Sequence, residues 1–480
     1  MGARSIPSLV LFGVRVLVVA LIAAVLGAAG LGLVASAGGE ATPRRVVADG
    51  VPLYEVHPAG LKPGERRPGV VVAHGYAGSA KLMMPFGDTL AGRGYVVVLL
   101  DFAGHGANPK ARTGSADLQR ELDAAMAHLR SLRDVDNARV SLVGHSMGAS
   151  AVTEYAAAHP EVVATVAISL PSVPEGHPKN LLMLVGQAEF PGFKATATEA
   201  AARIADSRAV TIPGVEHISI LYAPRTHQET IDWLDQRFGG PVTQEAIPSP
   251  LRRPAGAGLL FAGLLVGLYP LARLLFRGRA TIERFRWVLL VPVAGAAIVA
   301  ALVAAVLPTS WFPLDSGDYA VAFTFLFGGL LLLVQRGRPG PWGRVPAAVA
   351  LVAYAAVTIV VPLQLGFTNM WPAGARWWIL PVVWAGFALL SYAAERLSRG
   401  SMLGILAVAA ATVVALTAAA VLGLTNGFLL LVVPLLAVLL VLQAGWSTLL
   451  NRLAAPAWAI ALAGSLLVAW PIAATLPITA

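Results

Sequence analysis

The hydrophobic positions follow two different rhythms on either side of residue 250. From 40 to 250, short apolar runs alternate with amphipathic stretches. Residues 69–73 (GVVVA), 95–100 (YVVVLL), 139–143 (RVSLV), 163–169 (VATVAIS) and 181–185 (LLMLV) are β-branched or aliphatic almost throughout. Unbroken apolar runs of this length suit strands covered on both faces, so they are expected to lie parallel. Between them, Leu118, Leu122, Ala125, Met126 and Leu129 form one stripe on a helix over 116–132, and similar stretches begin at Leu82, Met147, Thr198 and Thr226. Strands alternating with amphipathic helices predict a mostly parallel sheet with helices on both faces.

After residue 256 the short alternation gives way to eight long apolar stretches: 256–276, 287–307, 319–335, 345–366, 377–394, 401–424, 427–444 and 457–478. Each is near the ~17 to 25 residues that a tilted membrane-spanning helix needs. The first 39 residues carry Arg4 and Arg15, an uncharged run over 16–34, then Ala35, Ser36 and Ala37. The A-x-A tripeptide permits cleavage after Ala37, but the uncharged run exceeds the ~7 to 15 residues of a signal-peptide core, which favours an uncleaved anchor. Either way the basic end stays in the cytoplasm and the chain beyond residue 39 is delivered outside.

The loops between the long stretches carry the same orientation. Arg277, Arg279, Arg284, Arg286, Arg336, Arg338, Arg344, Arg396, Arg399 and Arg452 fall in alternate loops that would be cytoplasmic, whereas the opposite loops offer Arg376 with Asp315 and Asp318. Arg252 and Arg253 run against this bias. Trp311, Trp342, Trp371, Trp377, Trp446 and Trp458 lie near the stretch ends, as an interfacial belt would. The expected organisation is a signal anchor or signal peptide (1–39), an extracytoplasmic α/β domain (40–250) and an all-α membrane domain of about eight helices (251–480). The protein would be multi-pass in the plasma membrane.

Composition agrees with two regimes in one chain: 57% of residues are hydrophobic and 13% charged, and all five Lys and all nine His lie between 57 and 227. The net charge of +9 comes mostly from Arg beside apolar runs, so topology accounts for it and nucleic-acid binding is not expected. The chain has no Cys, hence no disulfide framework, thiolate site or cysteine nucleophile. No HExxH or similar ligand spacing occurs, and neither metal nor cofactor is expected. The eight stretches contain no Asp, Glu, Lys or His, which argues against ion-coupled transport and for anchoring, positioning or admitting a lipid.

The chemistry centres on GHSMG, residues 144–148, which follows the run RVSLV and precedes a helical stretch. This is the G-x-S-x-G elbow in its strand–turn–helix context, with glycines where a side chain would strike neighbouring backbone and Ser146 forced into an exposed, strained position.

Over residues 45–240 the sequence resembles the α/β-hydrolase family, including its serine esterase, dienelactone-hydrolase-like and prolyl-peptidase-like members. Beyond the elbow, VVVAHGYAGSA has His74-Gly75 at the start of an oxyanion loop, LLDFAGHGAN carries Asp101, Gly104, His105 and Gly106 in a D-x-x-G-H-G segment, GQAEF looks like the turn bearing the triad acid, and GVEHISI matches the turn bearing the triad histidine. The resemblance implies Ser146 as nucleophile, His217 as base and Glu189 as acid, in the family's chain order. It also implies the backbone N–H groups of Met147 and Tyr76 as oxyanion donors. His227, inside the last amphipathic stretch, is a rival for the base and Glu175 for the acid. His74, His105 and Asp101 read as structural.

Residues 170–180 are too few for a large cap, so an open site is expected. Met83 and Phe86 could wall it or pack a helix, and His145 could line the acyl pocket or merely pack. The partners implied are a small-molecule or lipid acyl substrate and the bilayer. The leading activity is membrane-tethered cleavage of carboxylic esters through an acyl-enzyme. Acyl transfer to an envelope lipid or glycan, peptide cleavage, and a non-catalytic domain on a membrane scaffold are the alternatives.

Overall fold

The computed structural model describes residues 6–41, 43–243, 246–278, 280–335 and 343–480. Arg4, Arg279, Arg336, Arg338 and Trp342 lie outside the described residues. The chain opens on helix α1 (Ile6–Ala35) and enters a hairpin of β1 (Pro43–Ala48) and β2 (Val51–Val56). Asp49 and Gly50 turn it with φ of 49° and 75°. Two consecutive positive φ values match the strand twist of a tight hairpin, and an Asp-Gly pair is the usual sequence for it. There follow β3 (Arg67–Ala73), α2 (Met84–Gly92), β4 (Val96–Leu100), α3 (Ala116–Ser131), β5 (Val135–His145), α4 (Met147–Ala158), β6 (Ala164–Ile168), β7 (Leu181–Gly186), α5 (Pro191–Arg203), β8 (Arg208–Ile212) and α6 (Pro224–Arg237).

The strands form one sheet in the order β1-β2-β4-β3-β5-β6-β7-β8, parallel from β4 to β8 and antiparallel at β1 and β2. This is the α/β-hydrolase fold. Alternation along β4 shows why its run is wholly apolar: Val97 and Leu99 join the core that includes Leu90 and Ile231 of the helices α2 and α6, while Val96, Val98 and Leu100 join the one that includes Leu118, Leu122 and Met126 of α3. Between β6 and β7, residues 169–180 form no helix, so no large cap is inserted there. Helix α5 begins at Pro191 rather than Thr198, because Pro fits the first turn, where its missing N–H costs nothing.

Two later segments belong to this same unit: Leu363–Gly374 and Pro477–Ala480. So do Arg252 and Arg253, the pair that ran against the arginine bias. Arg253 forms an ion pair with Asp88 of α2, its Nη2 at 2.7 Å, and Arg252 Nη1 donates to the Ser36 carbonyl at 3.1 Å.

The second unit holds the chain up to Ala29 together with Gly258–Pro362 and Ala375–Leu476. Its helices are α1, α7 (Arg252–Leu275), α8 (Leu290–Val306), α9 (Asp318–Leu333), α10 (Val345–Gly366), α11 (Arg376–Ser398), α12 (Met402–Val421), α13 (Leu429–Arg452) and α14 (Ala457–Thr475). Among the described residues, eight helices are long and apolar enough to cross a membrane, α1 and seven of the later eight; α9, with 16 residues, is shorter. The closest approaches use small residues. A Cβ on Gly263 of α7 would lie 2.8 Å from the Ala23 carbonyl of α1, and one on Gly328 of α9 2.7 Å from the Leu390 nitrogen of α11.

Three expectations for this half change. Helix α11 is longer than the stretch 377–394 and takes in Glu395, which is buried and accepts from Ser447 Oγ and from Asn451 Nδ2 at 2.8 Å. With Gln443 Nε2 donating to Ser391 Oγ at 2.7 Å, this makes a polar ladder between α11 and α13 that an apolar-run count passes over. Arg376, the exception among the outer loops, is 1% exposed and donates to the carbonyls of Ala474 and Leu476 at 3.1 and 2.9 Å, where it satisfies the orphan acceptors at the end of α14. Trp446 is buried among the helices and so does not face outward as a belt residue would.

Candidate active site

Ser146 stands between the end of β5 and the first turn of α4 with φ 51° and ψ −116°. Side-chain-bearing residues seldom adopt this conformation. A Cβ on Gly144 would lie 2.3 Å from the carbonyl oxygen of Gly148, and one on Gly148 2.5 Å from that of His74. Both glycines are therefore steric requirements of the turn. The Ser146 N–H donates to the Ile168 carbonyl at 2.8 Å, tying the elbow to β6.

His217 follows β8 in the turn before residues 219–222. Its Nε2 is 3.1 Å from Ser146 Oγ, and its Nδ1 makes a short hydrogen bond to Glu189 Oε1. The other carboxyl oxygen of Glu189 accepts from the Gly186 N–H at 2.9 Å and from Ser169 Oγ at 3.0 Å. An ionised carboxylate only accepts, so Nδ1 carries the imidazole proton and Nε2 presents its lone pair to the serine hydroxyl. The structure thus brings Ser146, His217 and Glu189 into one chain of hydrogen bonds. Glu175 stays exposed in the 169–180 loop. Ser169 had no role in the sequence reading; the available signal was its place as the polar residue that ends the run VATVAIS, on the strand paired with the one that leads to Ser146.

His227 lies elsewhere, fully buried between α2 and α6. Its Nε2–H donates to the Leu221 carbonyl at 2.9 Å, Nδ1 accepts from Thr89 Oγ1 at 2.8 Å, and its ring stacks on Phe86 with centroids 4.1 Å apart. Burial disfavours the imidazolium and pulls its pKa down to about 4. Phe86 and Met83, 1% and 0% exposed, belong to that same core and pack the helix; they do not wall an open pocket.

His145 is buried too, with its pKa lowered to about 3, first by desolvation and then by His217 beside it. Its Nε2–H donates to the backbone carbonyl of His217 at 2.9 Å, and the two rings lie 4.8 Å apart. It holds the backbone of His217 in place.

Two loops at the carboxyl ends of β3 and β4 lie beside Ser146. A Cβ on Gly75 would come 2.8 Å from His145 Nδ1 and 3.1 Å from Ser146 Cβ, so the His74–Tyr76 backbone passes directly beside Ser146 and favours glycine there. Gly78 N–H donates to the Gly75 carbonyl at 2.9 Å with Ala77 at φ 57°, which closes a turn around Tyr76. Met147 is the first residue of α4, whose first-turn N–H groups have no acceptor within the helix. Buried His74 and Asp101 lock the two loops together. His74 donates from Nδ1 to the Gly75 carbonyl at 2.7 Å and accepts at Nε2 from Phe102 N–H at 3.1 Å. Asp101 accepts from Ala80 and Ala107 N–H at 2.7 and 3.0 Å. Desolvation lowers the His74 pKa, against the pull of Asp101.

The surroundings of His217 are apolar. Phe193 lies with its ring 4.8 Å from that of His217, and Phe190 and Ile218 are 55% and 41% exposed. A cavity of about 640 Å³ lined by Asp49, Lys110, Asp117 and Glu121 includes none of the three linked residues.

Residues 64–220 match the family described as serine aminopeptidase, S33, a group of α/β hydrolases. Among curated proteins, a putative non-heme haloperoxidase of Mycobacterium phage D29 is 34% identical over 113 residues, 23% of this chain and 39% of that protein. An uncharacterized protein of Mycobacterium tuberculosis (strain ATCC 25618 / H37Rv) is 34% identical over 97 residues, 20% of this chain and 34% of its own length. The chain thus spans little more than a third of either relative. Among solved structures, a predicted CIB-like hydrolase from Thermoplasma acidophilum aligns with TM-score 0.35 at 18% identity, over 40% of this chain and 97% of that one. Est1E from Butyrivibrio proteoclasticus aligns with TM-score 0.34 at 14% identity, over 41% and 99%.

Proposed function

We propose that this α/β hydrolase is a membrane-embedded serine hydrolase that cleaves carboxylic ester-type bonds through an acyl-enzyme on Ser146. The observation that carries the reading is the unbroken chain Ser146 Oγ, His217, Glu189 on a strained elbow, with the imidazole tautomer dictated by its acceptor.

Ser146 Oγ attacks the ester carbonyl carbon as His217 Nε2 takes its proton, because a hydroxyl is too weak a nucleophile at neutral pH. Glu189 stabilises the imidazolium as it forms. The carbonyl oxygen becomes an oxyanion that accepts from the N–H groups of Tyr76 and Met147. Collapse breaks the bond to the alkoxy oxygen, which leaves with the proton from His217. Water, deprotonated by the same nitrogen, then releases the acid and restores Ser146. The apolar rim of Phe190, Phe193 and Ile218 favours an apolar group on the substrate.

The arginine pattern supports an extracytoplasmic position for the catalytic unit in the plasma membrane, and parity supports the span count. Between Ala257 and Leu363 the chain runs through α7–α10, and between Gly374 and Pro477 through α11–α14. Four crossings each time return the chain to the side it left, as segments of one compact unit require, and α9 must then cross despite its length. Arg399 reaches Glu283 at 3.0 Å, joining two loops that this count puts on the same side. The close glycine contact of α7 with α1 supports an uncleaved anchor.

A fluorophosphonate probe, which phosphonylates activated serines, tests the chemistry. Native protein should label and Ser146→Ala should not; equal resistance of both removes the serine-hydrolase reading.

A further inference from the structure

Leu363–Gly374, which joins α10 to α11, and Pro477–Ala480, which follows α14, are short connections in sequence terms, yet both are built into the catalytic unit. Their contacts fall on the loops that follow β3 and β4 and on the turn after His217. Thr368 Oγ1 and Ser79 Oγ are hydrogen-bonded at 2.8 Å, and Ser79 Oγ also accepts from the N–H of Asn369 at 3.2 Å and of Leu82 at 3.3 Å. Ser79, Thr368 and Asn369 are all buried. Ser79 lies three residues beyond Tyr76, immediately after the Gly75–Gly78 turn. Two positions further, Lys81 Nζ donates to the Gln364 carbonyl at 2.9 Å. The neighbouring Phe367 stacks on Tyr222, in the turn that follows His217, with centroids 5.9 Å apart. One loop therefore bears on both the oxyanion turn and the base turn.

The tail completes the frame. Ile478 N–H donates to the Gly104 carbonyl, Arg112 N–H to the Ile478 carbonyl, and Ala480 N–H to the Arg112 carbonyl, at 2.9, 2.9 and 3.1 Å. A Cβ on Gly104 would sit 2.4 Å from the Ile478 oxygen, and one on Gly374 2.3 Å from the Pro109 oxygen. Residues 104–112 are thus gripped at both ends, and the same loop meets Tyr76: the His105 ring packs edgewise on it at 5.7 Å, and the Arg112 guanidinium lies 6.0 Å over it.

We infer that Leu363–Gly374 and Pro477–Ala480 serve as the cap of this hydrolase, in place of the insertion that the short 169–180 loop lacks, and that the Thr368–Ser79 contact positions the oxyanion turn. Ser79 and Thr368 are positioning residues acting through the Tyr76 backbone, and the inference rests on the serine-hydrolase reading above. The reasoning is energetic. A buried hydroxyl pair that loses one member leaves its partner unsatisfied, and the turn relaxes to recover the bond. A donor aimed at an oxyanion is sensitive to such shifts, since deleting one outright costs about 100- to 1000-fold in rate.

The test uses the full-length chain reconstituted in lipid nanodiscs, with a short-chain chromogenic ester and active sites counted by fluorophosphonate titration. Ser79→Ala and Thr368→Val should each lower kcat per titrated site, by about 10-fold or more for Ser79→Ala, with KM within about threefold, because the oxyanion contact exists only in the transition state. The double variant should lose no more than the worse single one, since both act through one contact. A merely structural role would lower the number of titrated sites and leave kcat per site intact. That result, or fully additive losses, overturns the inference. If native protein takes no probe, the hydrolase reading itself fails; if it labels normally and both variants match it, only this inference does.

Discussion

Replacing Glu189 by Gln is the sharpest test of how the site is wired. The carboxylate is 4% exposed, and its Oε2 accepts from two donors, the Gly186 N–H at 2.9 Å and Ser169 Oγ at 3.0 Å. A serine hydroxyl can rotate and accept instead, but a backbone N–H cannot. The amide oxygen of Gln must therefore take the Oε2 position, and its NH2 must face His217 Nδ1. To accept from that NH2, Nδ1 has to give up its proton to Nε2, and the ring then offers Ser146 a donor where the mechanism needs an acceptor. The side chain keeps its volume and its bond to Gly186, so the fold survives. A triad with the wrong tautomer loses about 10⁴ in kcat, which corresponds to about 5.5 kcal/mol of transition-state stabilisation. The assay is kcat on a chromogenic ester, with the phosphonylation rate of Ser146 measured in parallel and circular dichroism to check folding. Activity within about tenfold of wild type would show that Glu189 does not set the tautomer.

Other expectations rest on the same structure. His145→Ala removes the donor to the His217 carbonyl and should cost about 1–3 kcal/mol of stability in chemical denaturation, together with a fall in kcat; an unchanged kcat would detach His145 from the base. His227→Ala should lower the denaturation midpoint while kcat per titrated site stays at the wild-type value, and a large kcat loss per site would return it to the chemistry. Stability should fall in acid: His145 and His227 have folded pKa values of about 3 and 4, below the ordinary ~6.5, so between about 6.5 and 4 the unfolded chain binds more protons and stability is lost as pH drops. Glu121, raised to about 6 mainly by burial, opposes this between about 6 and 4.5, so the unfolding midpoint should steepen in its decline below about pH 4.5. Because the chain has no native cysteine, single substitutions report topology cleanly: Asp206→Cys and Ala480→Cys should react with an impermeant maleimide on intact cells and Arg284→Cys only after permeabilisation, and the reverse pattern would invert the orientation.

What was legible in the sequence was whatever is written locally. Period-two burial inside a fully covered sheet leaves unbroken runs such as YVVVLL, a bilayer demands long apolar helices, and the elbow needs its glycines within five residues of one another. The edge strands β1 and β8 escaped because half-exposed strands do not make such runs, and β2, though largely buried, is broken up by Pro52, Tyr54 and Glu55; Asp49-Gly50 nonetheless marks the first hairpin.

Only the tertiary structure decided matters that join distant residues. It put Ser169 against Glu189, turned His145 inward to hold the backbone of His217, buried Met83 and Phe86, and drew Glu395 into a ladder with α13. It also returned Leu363–Gly374 and Pro477–Ala480 to the loops around Tyr76, across a separation of 289 residues for the Ser79–Thr368 pair. Such contacts leave no periodicity, since each depends on two surfaces meeting after the sheet and the helices have formed. The fold and the candidate residues were therefore readable one segment at a time, while the way the site is framed belongs to the folded chain as a whole.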